Sequence, residues 1–246
     1  CSSICYRNQV GVAKVEKGIV MKLTYLVSVH NETETLQRLL DPLFEKIRGT
    51  TDSIVILDDN STNEETIDYI MRFFDCPNVG WVKHSLNNDY GAHKNFGNTK
   101  CLGDWIFQID GDERPHPNLL DNVKDLIESN PSVELIYVPR VNDFRGVTPE
   151  LAAPWGWRLT PCPEYENRPI VNWPDYQGRI YKNDPTRIRW DRKLHEKIEG
   201  HKEYSFLPAE VEWSLYHDKT IETQLETNRR YNKDFSVADN KGHNVV

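Results

Sequence analysis

Residues 102–113 read Leu-Gly-Asp-Trp-Ile-Phe-Gln-Ile-Asp-Gly-Asp-Glu. The apolar run Trp105–Ile109 is typical of a short buried strand, and Asp110 and Asp112 follow at the point where it ends. Two carboxylates two positions apart in an extended turn point the same way, so they can share a hard divalent cation such as Mg²⁺ or Mn²⁺. An isolated Asp-x-Asp is more often a solvated acidic turn, so the position directly after a strand is what favours a functional site.

The chain around this stretch alternates short apolar runs with helical stripes. Further strands are predicted at Leu23–Val29, Ser53–Leu57, Val79–Lys83 and Leu135–Pro139. The predicted helices are a stripe from Leu36 to Ile47 that Pro42 should kink or split, a face from Ile67 to Phe74 introduced by a capping box at Ser61–Glu64, and helices over Tyr90–Cys101 and Leu119–Ser129. Strands separated by helices predict an α/β fold with a Rossmann-like, mostly parallel central sheet flanked by helices.

Polar residues follow three of these predicted strands. They are His30-Asn31-Glu32, Asp58-Asp59 and Asp110-Gly111-Asp112-Glu113. Because the carboxyl ends of parallel strands meet at one edge of a sheet, we expect these side chains to face a common ligand site. The sequence has no P-loop and no G-x-G-x-x-G, so phosphate groups there would be neutralised by a metal rather than by a glycine-rich helix start.

The composition and the predicted secondary structure of the chain change after Pro139. Eight prolines occur from Pro139 to Pro185 inclusive, together with Trp155, Trp157 and Trp173, which predicts a long irregular Trp- and Pro-rich segment. Regular structure is expected to return in the last third of the chain, with short strands at Gln177–Tyr181, Arg187–Trp190 and Val211–Tyr216 and a final helix from Thr220 to Phe235.

Composition excludes some function classes. The 246 residues carry 30 Lys and Arg against 38 Asp and Glu, a net charge of −8, which argues against a nucleic-acid partner. No run approaches the roughly 20 apolar residues of a membrane span, and we expect no signal peptide and no transmembrane segment. Five scattered cysteines without a C-x-x-C favour a reducing cytoplasm.

Four elements occur together in a characteristic order and spacing: Val27-Ser-Val-His-Asn-Glu32, Ile56-Leu-Asp-Asp-Asn-Ser-Thr62, Gly91-Ala-His-Lys-Asn95 and Leu102–Glu113. Each alone is a weak signal, but the set, over about residues 22–130, resembles the family 2 glycosyltransferases. The resemblance implies the GT-A fold and the transfer of a sugar from a nucleotide diphosphate sugar, with a UDP-sugar the expected donor. The implied acceptor is a hydroxyl of a glycan, a glycolipid or another molecule, and contact with a membrane surface stays open.

The resemblance also implies residue roles on the donor side. Ser28, His30 and Glu32 match the first nucleotide-contacting loop, although the family usually has Tyr at position 30. Asp58 matches a carboxylate that accepts a hydrogen bond from the base, and Lys94 a basic residue that faces the nucleotide or, alternatively, is a solvated helix lysine. Asp110 matches the ribose- or metal-contacting aspartate and Asp112 the direct metal ligand.

In the second half, Arg179-Ile-Tyr181, Arg189-Trp190 and Leu194–Ile198 resemble a subset of the family that includes lipopolysaccharide-core glucosyltransferase-like proteins. Glu196 would then be the catalytic base of an inverting transfer. The alternative is a surface glutamate, and Asp191 is the reserve base.

Three further assignments follow from the same resemblance or from residue chemistry. His195 is expected to orient Glu196 or to contact the diphosphate. His217 resembles a late metal ligand, and its alternative is a buried hydrogen-bonding histidine. The three tryptophans predict either a stacking platform for a sugar acceptor or a cover for the sheet.

The predicted organisation is one GT-A domain over 21–246 after an N-terminal extension, 1–20, to which no chemistry is assigned. Residues 21–130 would form the nucleotide-sugar half and residues 131–246 the acceptor and catalytic half. The alternative function is a catalytically inert nucleotide-sugar or glycan-binding module on the same fold. Nucleotidyl transfer is disfavoured because no glycine-rich phosphate loop is present near the N-terminus.

Overall fold

A computed structural model describes residues 20–240, so most of the predicted N-terminal extension lies outside the described residues. The first half holds the elements β1 Leu23–Val29, α1 Glu34–Ile47, β2 Ser53–Asp58, α2 Glu64–Met71, β3 Val79–Lys83, α3 Tyr90–Asn98, β4 Trp105–Asp110, β5 Glu113–Pro115 and α4 Pro117–Glu128. The second half holds β6 Leu135–Val138, β7 Arg140–Arg145, α5 Pro149–Ala152, β8 Leu159–Cys162, β9 Arg168–Val171, β10 Gln177–Lys182, β11 Arg189–Asp191, β12 Lys197–Glu199, β13 Tyr204–Phe206, β14 Leu215–Thr220 and α6 Ile221–Asp234.

The central sheet has seven strands in the order β13-β6-β10-β4-β1-β2-β3. β4, β1, β2 and β3 run parallel, and β10 alone is antiparallel to its neighbours. The register pairs Ser28 with Asp110 and Val29 with Asp58. The predicted α/β fold with a mostly parallel sheet is confirmed, and the polar strand ends lie side by side as expected.

Apolar side chains alternate between the two faces of this sheet. On one face the β1 residues Leu23, Tyr25 and Val27 pack under α1, α2 and α4, and on the other Leu26 packs near α3 and the β11–β12 hairpin. Side chains that alternate in this way are expected for a strand buried on both faces. Each fully buried aliphatic side chain contributes about 1.5–3 kcal/mol to the free energy of unfolding.

A second sheet forms where the sequence predicted an irregular segment. Its five strands are ordered β5-β14-β7-β9-β8, and three of them, β7, β8 and β9, come from the Pro-rich stretch. The prediction missed them because the strands are only four to six residues long and because β8 and β9 contain prolines, which are typical of loops. The connection over 146–158 forms no strand and contains Trp155 and Trp157, and its regular structure is limited to the short helix α5 and the 3₁₀ turn Ala153–Trp155.

The second sheet is joined to the first directly after the Asp110-x-Asp112 stretch. β5 begins at Glu113 and pairs with β14, which places His217 opposite Glu113. β14 also runs parallel to β7 and places His217 beside Asn142. The register of three short strands therefore brings a histidine about a hundred residues away to the end of β4.

Local predictions differ from the structure in three places. α1 runs unbroken through Pro42, because the buried leucines on both sides of the proline hold one helix against the sheet. The cap of α2 is Asn63, whose side chain accepts from Thr66 N at 3.0 Å, so the predicted Ser61 capping box is wrong. The expected strand at Val211–Tyr216 begins only at Leu215, after a short 3₁₀ turn over Val211–Trp213.

The Gly91–Asn95 element forms the start of α3 and packs against the β11–β12 hairpin. Asn95 exchanges two hydrogen bonds with the backbone of Trp190, at 2.8 and 2.9 Å, and Tyr90 N donates to Lys193 O at 2.9 Å. A Cβ atom on Gly91 would lie 2.4 Å from Arg192 O. The glycine thus permits a close approach between the helix and the turn that leads to Glu196.

We predict that Gly91→Ala destabilises the fold. The added methyl group meets backbone, which cannot turn aside as a side chain can, and overpacking of this kind lowers the free energy of unfolding by about 1–3 kcal/mol. The higher helix propensity of alanine offsets at most about 1 kcal/mol of this loss. Urea denaturation measures the difference. The control is Gly80→Ala on β3, where no atom lies within 4 Å of the added Cβ. Equal stability of the two variants would contradict the close approach.

Candidate active site

One cavity of about 1460 Å³ opens at the carboxyl ends of β1 and β4. Nine of the eleven candidate residues line it, and they come from both halves of the chain: Ser28, His30, Glu32, Lys94, Asp110, Asp112, His195, Glu196 and His217. Asp58 and Asp191 are not among the lining residues. The structure therefore brings the predicted donor-side and catalytic residues to one place.

Lys94 joins the two halves of this cavity. Its side chain is 2% exposed, and Nζ donates to Glu196 Oε1 at 2.6 Å and lies 3.1 Å from Asp110 Oδ1. The ammonium also lies 4.7 Å from the centre of the Trp190 ring. Burial alone would lower the pKa of Lys94, but the carboxylates of Asp110 and Glu196 outweigh it and raise that pKa. The alternative of a solvated helix lysine is excluded by this burial.

Asp110 is surrounded by positive charge. Its Oδ2 accepts from Arg179 Nη2 at 2.8 Å, while Lys94 and Gln108 Nε2 approach Oδ1. Burial would raise the pKa of Asp110, but Arg179 and Lys94 hold it well below its usual range. With both oxygens engaged by cations, Asp110 is held in one orientation and is paired with cations rather than grouped with the other predicted metal ligands.

Two arginines extend this network beneath the cavity. Arg179 Nη2 also donates to the buried Glu113 Oε1 at 2.6 Å, and Arg140 Nη1 reaches the same oxygen at 3.0 Å. Arg140 in turn binds Asp175 Oδ2 at 2.6 Å through Nη2. Buried ion pairs of this kind are stable only when each charge has its partner, so the network fixes the β4–β5 turn that carries Asp110 and Asp112.

The glycine between the two aspartates allows that turn to lie against β1. Gly111 N donates to Ser28 O at 2.7 Å. A Cβ atom on Gly111 would lie 2.9 Å from Ser28 O and 3.2 Å from Glu32 Oε2. Gly111 therefore permits the first polar strand end and the Asp-x-Asp turn to share one wall of the cavity.

The tautomer of His217 follows from its neighbours. The Asn142 amide nitrogen donates to Asp175 Oδ2 at 2.9 Å and to Val171 O at 3.2 Å, which turns Asn142 Oδ1 towards His217 Nδ1 at 2.8 Å. Nδ1 must then carry the proton. Burial, reinforced by Lys219, lowers the pKa of His217, so the neutral ring presents an Nε2 lone pair.

His217 Nε2 faces Asp112 Oδ2 at 3.3 Å, and Lys219 Nζ approaches the same oxygen at 2.8 Å. Burial raises the pKa of Asp112 while the Lys219 ammonium lowers it, and this pKa lies well below its usual range. A carboxylate oxygen and an imidazole lone pair that face each other form a suitable pair of ligands for a divalent cation. Asn142 is the partner that orients the histidine for that role.

The predicted three-residue metal set does not form. Within residues 20–240, no group of three or more His, Cys, Asp or Glu side chains is placed to hold a metal ion. Asp112 and His217 come together, whereas Asp110 turns to Lys94 and Arg179. The pair fits a hard divalent ion that takes its remaining ligands from phosphate oxygens and water.

Two candidate residues lie outside the cavity. Asp58 is fully buried at the end of β2, where Ser61 N donates to Oδ1 at 2.8 Å and Trp81 Nε1 donates to Oδ2 at 3.1 Å. Its oxygens hold a turn and a tryptophan, and the neighbouring Asp59 lines the cavity instead. Asp191 is exposed on β11, where the alternation of the strand turns Trp190 inward and Asp191 outward. Both assignments are corrected accordingly.

His30 and Glu32 form the wall opposite α3. His30 Nδ1 lies 2.8 Å from Asp59 O, and the half-exposed ring faces the cavity. Burial raises the pKa of Glu32 to about 7, and the charge of Asp112 adds to this, although the His30 N–H opposes it. Glu32 thus changes its charge near neutral pH.

The far wall comes from α6 and the residues that follow it. Tyr231 packs edge-on to Tyr90 and to Phe235, and His195 lies edge-on to Tyr231. His195 Nε2 lies 3.3 Å from Asn240 Oδ1. The partner of Glu196 is Lys94, so His195 contributes to the α6 side of the cavity.

Two of the three tryptophans line the cavity. Trp155 is 39% exposed and stacks on Trp157 with ring centres 6.0 Å apart. Trp173 packs instead against the small core of Val141, Cys162 and Ile170. The predicted platform is therefore reduced to Trp155 and Trp157, and Trp173 has the covering role.

Residues 24–200 match the family model described as Glycosyl transferase family 2. The chain belongs to this family. The glycosyltransferase match spans β1 to the turn after β12, which includes the Asp110-x-Asp112 turn and Glu196.

Curated relatives agree with this membership. An uncharacterized glycosyltransferase of Haemophilus influenzae is 25% identical over 117 residues, 48% of this chain and 38% of the relative. An uncharacterized glycosyltransferase of Rickettsia prowazekii is 24% identical over 109 residues, 44% of this chain and 34% of the relative. The chain thus matches little more than a third of the length of these glycosyltransferases.

Solved structures share the fold. S. aureus TarS is similar with a TM-score of 0.52 and 19% identity, over 89% of this chain and 68% of that one. TarS in complex with UDP-GlcNAc gives a TM-score of 0.53 and 18% identity, over 81% of this chain and 59% of that one. At this identity the likeness shows the glycosyltransferase fold alone.

We predict that the stability of the fold falls as the pH rises through the range in which Glu32 ionises. Its pKa of about 7 in the folded protein exceeds the ordinary 4.5, so the folded state binds the proton more tightly than the unfolded state. The contribution of Glu32 is then fully present below about pH 4.5 and is lost as the pH rises to about 7, a loss on the order of 3 kcal/mol. Urea denaturation at several pH values, here between pH 5 and 8, measures this loss.

Glu32→Gln should flatten that part of the profile, because glutamine stays neutral. The control is Glu34→Gln, which changes an exposed carboxylate in the first turn of α1. An identical pH profile for wild type and Glu32→Gln would contradict the assignment.

Proposed function

We propose that this chain transfers a sugar from a nucleotide diphosphate sugar, with a UDP-sugar the expected donor, to a hydroxyl of a glycan or glycolipid with inversion at the anomeric carbon. The observation that carries the proposal is the buried Lys94, which holds the donor-side Asp110 and the candidate base Glu196 in one cavity. Family membership and the TarS complex with UDP-GlcNAc support the donor class.

On the donor side, Asp110 is held in one orientation and is proposed to accept a hydrogen bond from the ribose. Ser28, His30, Glu32 and Asp59 would line the nucleotide, and Asp112 with His217 would hold Mg²⁺ or Mn²⁺. A divalent ion bound there would act as a Lewis acid for the negative charge that the leaving diphosphate gains. Asn142 would keep the His217 lone pair directed at that position.

On the catalytic side, Glu196 is proposed to be the base. The acceptor oxygen forms a bond to the anomeric carbon, the bond from that carbon to the diphosphate oxygen breaks, and the hydroxyl proton passes to a Glu196 carboxylate oxygen. Lys94 fixes the carboxylate at 2.6 Å, so its orientation is set before the acceptor arrives. Inversion requires attack from the face opposite the leaving diphosphate.

On the acceptor side, Trp155 and Trp157 are proposed to pack against a sugar, because the C–H faces of sugars stack on aromatic rings. The proposed division is then a nucleotide-sugar half over 21–130 and an acceptor and catalytic half over 131–246, within one GT-A domain. Within residues 20–240, no helix is both long and apolar enough to cross a bilayer.

The cellular setting is also a proposal. Cys76, Cys101 and Cys162 are free thiols, which is usual for a protein of the reducing cytoplasm. A role in polysaccharide biosynthesis, with contact to a membrane surface when the acceptor is a glycolipid, is consistent with the proposed reaction.

We predict that Glu196→Gln lowers turnover at least about a hundredfold, the usual size of a general-base contribution. UDP release from UDP-GlcNAc and other nucleotide sugars, with Mn²⁺ and a glycan acceptor, measures turnover. UDP binding, followed as a thermal shift, should survive the substitution. Asp191→Asn is the matched control, because that carboxylate is close in sequence and outside the cavity.

Three outcomes are decisive for this test. Equal turnover in wild type and Glu196→Gln would contradict the role of Glu196. Donor binding without turnover in wild type would favour the inert binding module. Absence of both binding and turnover with every common donor would reject the proposed function.

We predict that removal of divalent metal abolishes turnover. Dialysis against EDTA should stop UDP release, and added Mn²⁺ or Mg²⁺ should restore it, because the leaving diphosphate would otherwise lack its Lewis acid. Asp112→Asn should show the same loss without rescue at moderate Mn²⁺. Full activity of the EDTA-treated protein would contradict a metal at Asp112 and His217.

A further inference from the structure

Lys219 lies on β14 two residues after His217, so both side chains point to the same side of the strand. Its ammonium nitrogen is 2.8 Å from Asp112 Oδ2, and the side chain is mostly buried against the cavity wall that it helps to line. No motif in the sequence marked this residue. Its position is set by the pairing of β14 with β5 and β7.

Three other cations that line the cavity are each paired with two carboxylates. Lys94 binds Asp110 and Glu196, Arg179 binds Asp110 and Glu113, and Arg140 binds Glu113 and Asp175. Within residues 20–240, Asp112 is the one carboxylate paired with Lys219. Lys219 can therefore leave its partner without breaking a second ion pair.

The position of Lys219 conflicts with a divalent cation at the same carboxylate. Asp112 Oδ2 accepts from the ammonium and also faces the His217 Nε2 lone pair at 3.3 Å. A divalent ion held by these two atoms would lie close to the ammonium, and the two positive charges would repel each other. One carboxylate oxygen thus has two competing cations.

We propose that Lys219 is an exchangeable counter-ion: it neutralises Asp112 before the metal binds and moves to the diphosphate of the donor afterwards. This rests on the proposed function. The flexible four-carbon stem and the compact ammonium suit a group that changes partners, and phosphate oxygens are strong acceptors for it. The charges also balance, because a divalent ion, Asp112 and Lys219 together present two positive charges to the two negative charges of the diphosphate.

The exchange predicts effects of opposite sign from one substitution. Without the ammonium, Asp112 is free for the metal, so Mn²⁺ alone should bind more tightly to Lys219→Met. Without the same ammonium, one contact to the diphosphate is lost, so UDP should bind more weakly when Mn²⁺ is saturating. A lysine that only supported the fold would weaken both.

The test measures Mn²⁺ binding by electron paramagnetic resonance and UDP binding by calorimetry on the full chain. For Lys219→Met we expect roughly tenfold tighter Mn²⁺ and roughly tenfold weaker UDP, each equivalent to about 1.4 kcal/mol. Lys219→Arg keeps the charge and should remain near wild type in both. Lys46→Met is the matched control, because Lys46 forms an ion pair with Asp121 away from the cavity.

The outcomes separate the two proposals. Wild type that binds neither Mn²⁺ nor UDP overturns the donor site itself, and this inference with it. Wild type that binds both, with unchanged or weaker Mn²⁺ binding in Lys219→Met, overturns the exchange alone, as does unchanged UDP binding. If Lys219→Met does not fold, Lys219→Gln is measured in its place, with the same two shifts expected.

Discussion

A single buried ammonium holds the two halves of this molecule to one geometry. Lys94 is almost entirely removed from water, and such a charge is tolerated only when carboxylates compensate for its lost hydration. The two that do so come from different places: Asp110 ends a central strand, and Glu196, 86 residues later, precedes the second strand of a hairpin. Displacing either one leaves charge uncompensated in the interior. The distance between the donor side and the candidate base is therefore set by electrostatics as much as by packing.

Asp112 is positioned by strand register, whereas Asp110 is positioned by the Lys94 ammonium. β5 starts directly after Asp112, and its pairing with β14 and the pairing of β14 with β7 place Glu113, His217 and Asn142 in a row, with Asp112 next to Glu113 in the chain. The orientations of Asn142 and His217 are each fixed by a neighbouring hydrogen-bond partner. Asn142, for example, is turned by Asp175 and Val171 before it turns His217. The backbone pairing of β5, β14 and β7 thus sets much of the geometry of the site. Few side-chain torsions are then left to be ordered when a ligand binds.

The local sequence pattern was enough to predict the first half of the fold and several of the residues that line the cavity. The central strands and the helices between them follow from apolar periodicity, and the acidic residues were recognisable because they stand where strands end. Asp58 was assigned wrongly because adjacent residues on a strand end face opposite ways, and sequence alone does not say which of Asp58 and Asp59 faces inward. The second sheet, Asn142 and Lys219 were missed because their roles depend on pairing between strands some 75 residues apart in the chain. Pattern within a window of a dozen residues contains no information on such pairing.

The 146–158 connection forms no strand of either sheet, yet it contributes Trp155 and Trp157 to the cavity wall. Its length and sequence can change without shifting the register that positions Asp112 and His217, because β7 ends before it and β8 begins after it. Insertions in exposed connections of this kind have a small effect on folding. If Trp155 and Trp157 contact the acceptor as proposed, a duplicated gene could acquire a new acceptor preference through this one segment while the donor side stayed intact. Under that proposal, donor recognition and acceptor choice are free to evolve separately.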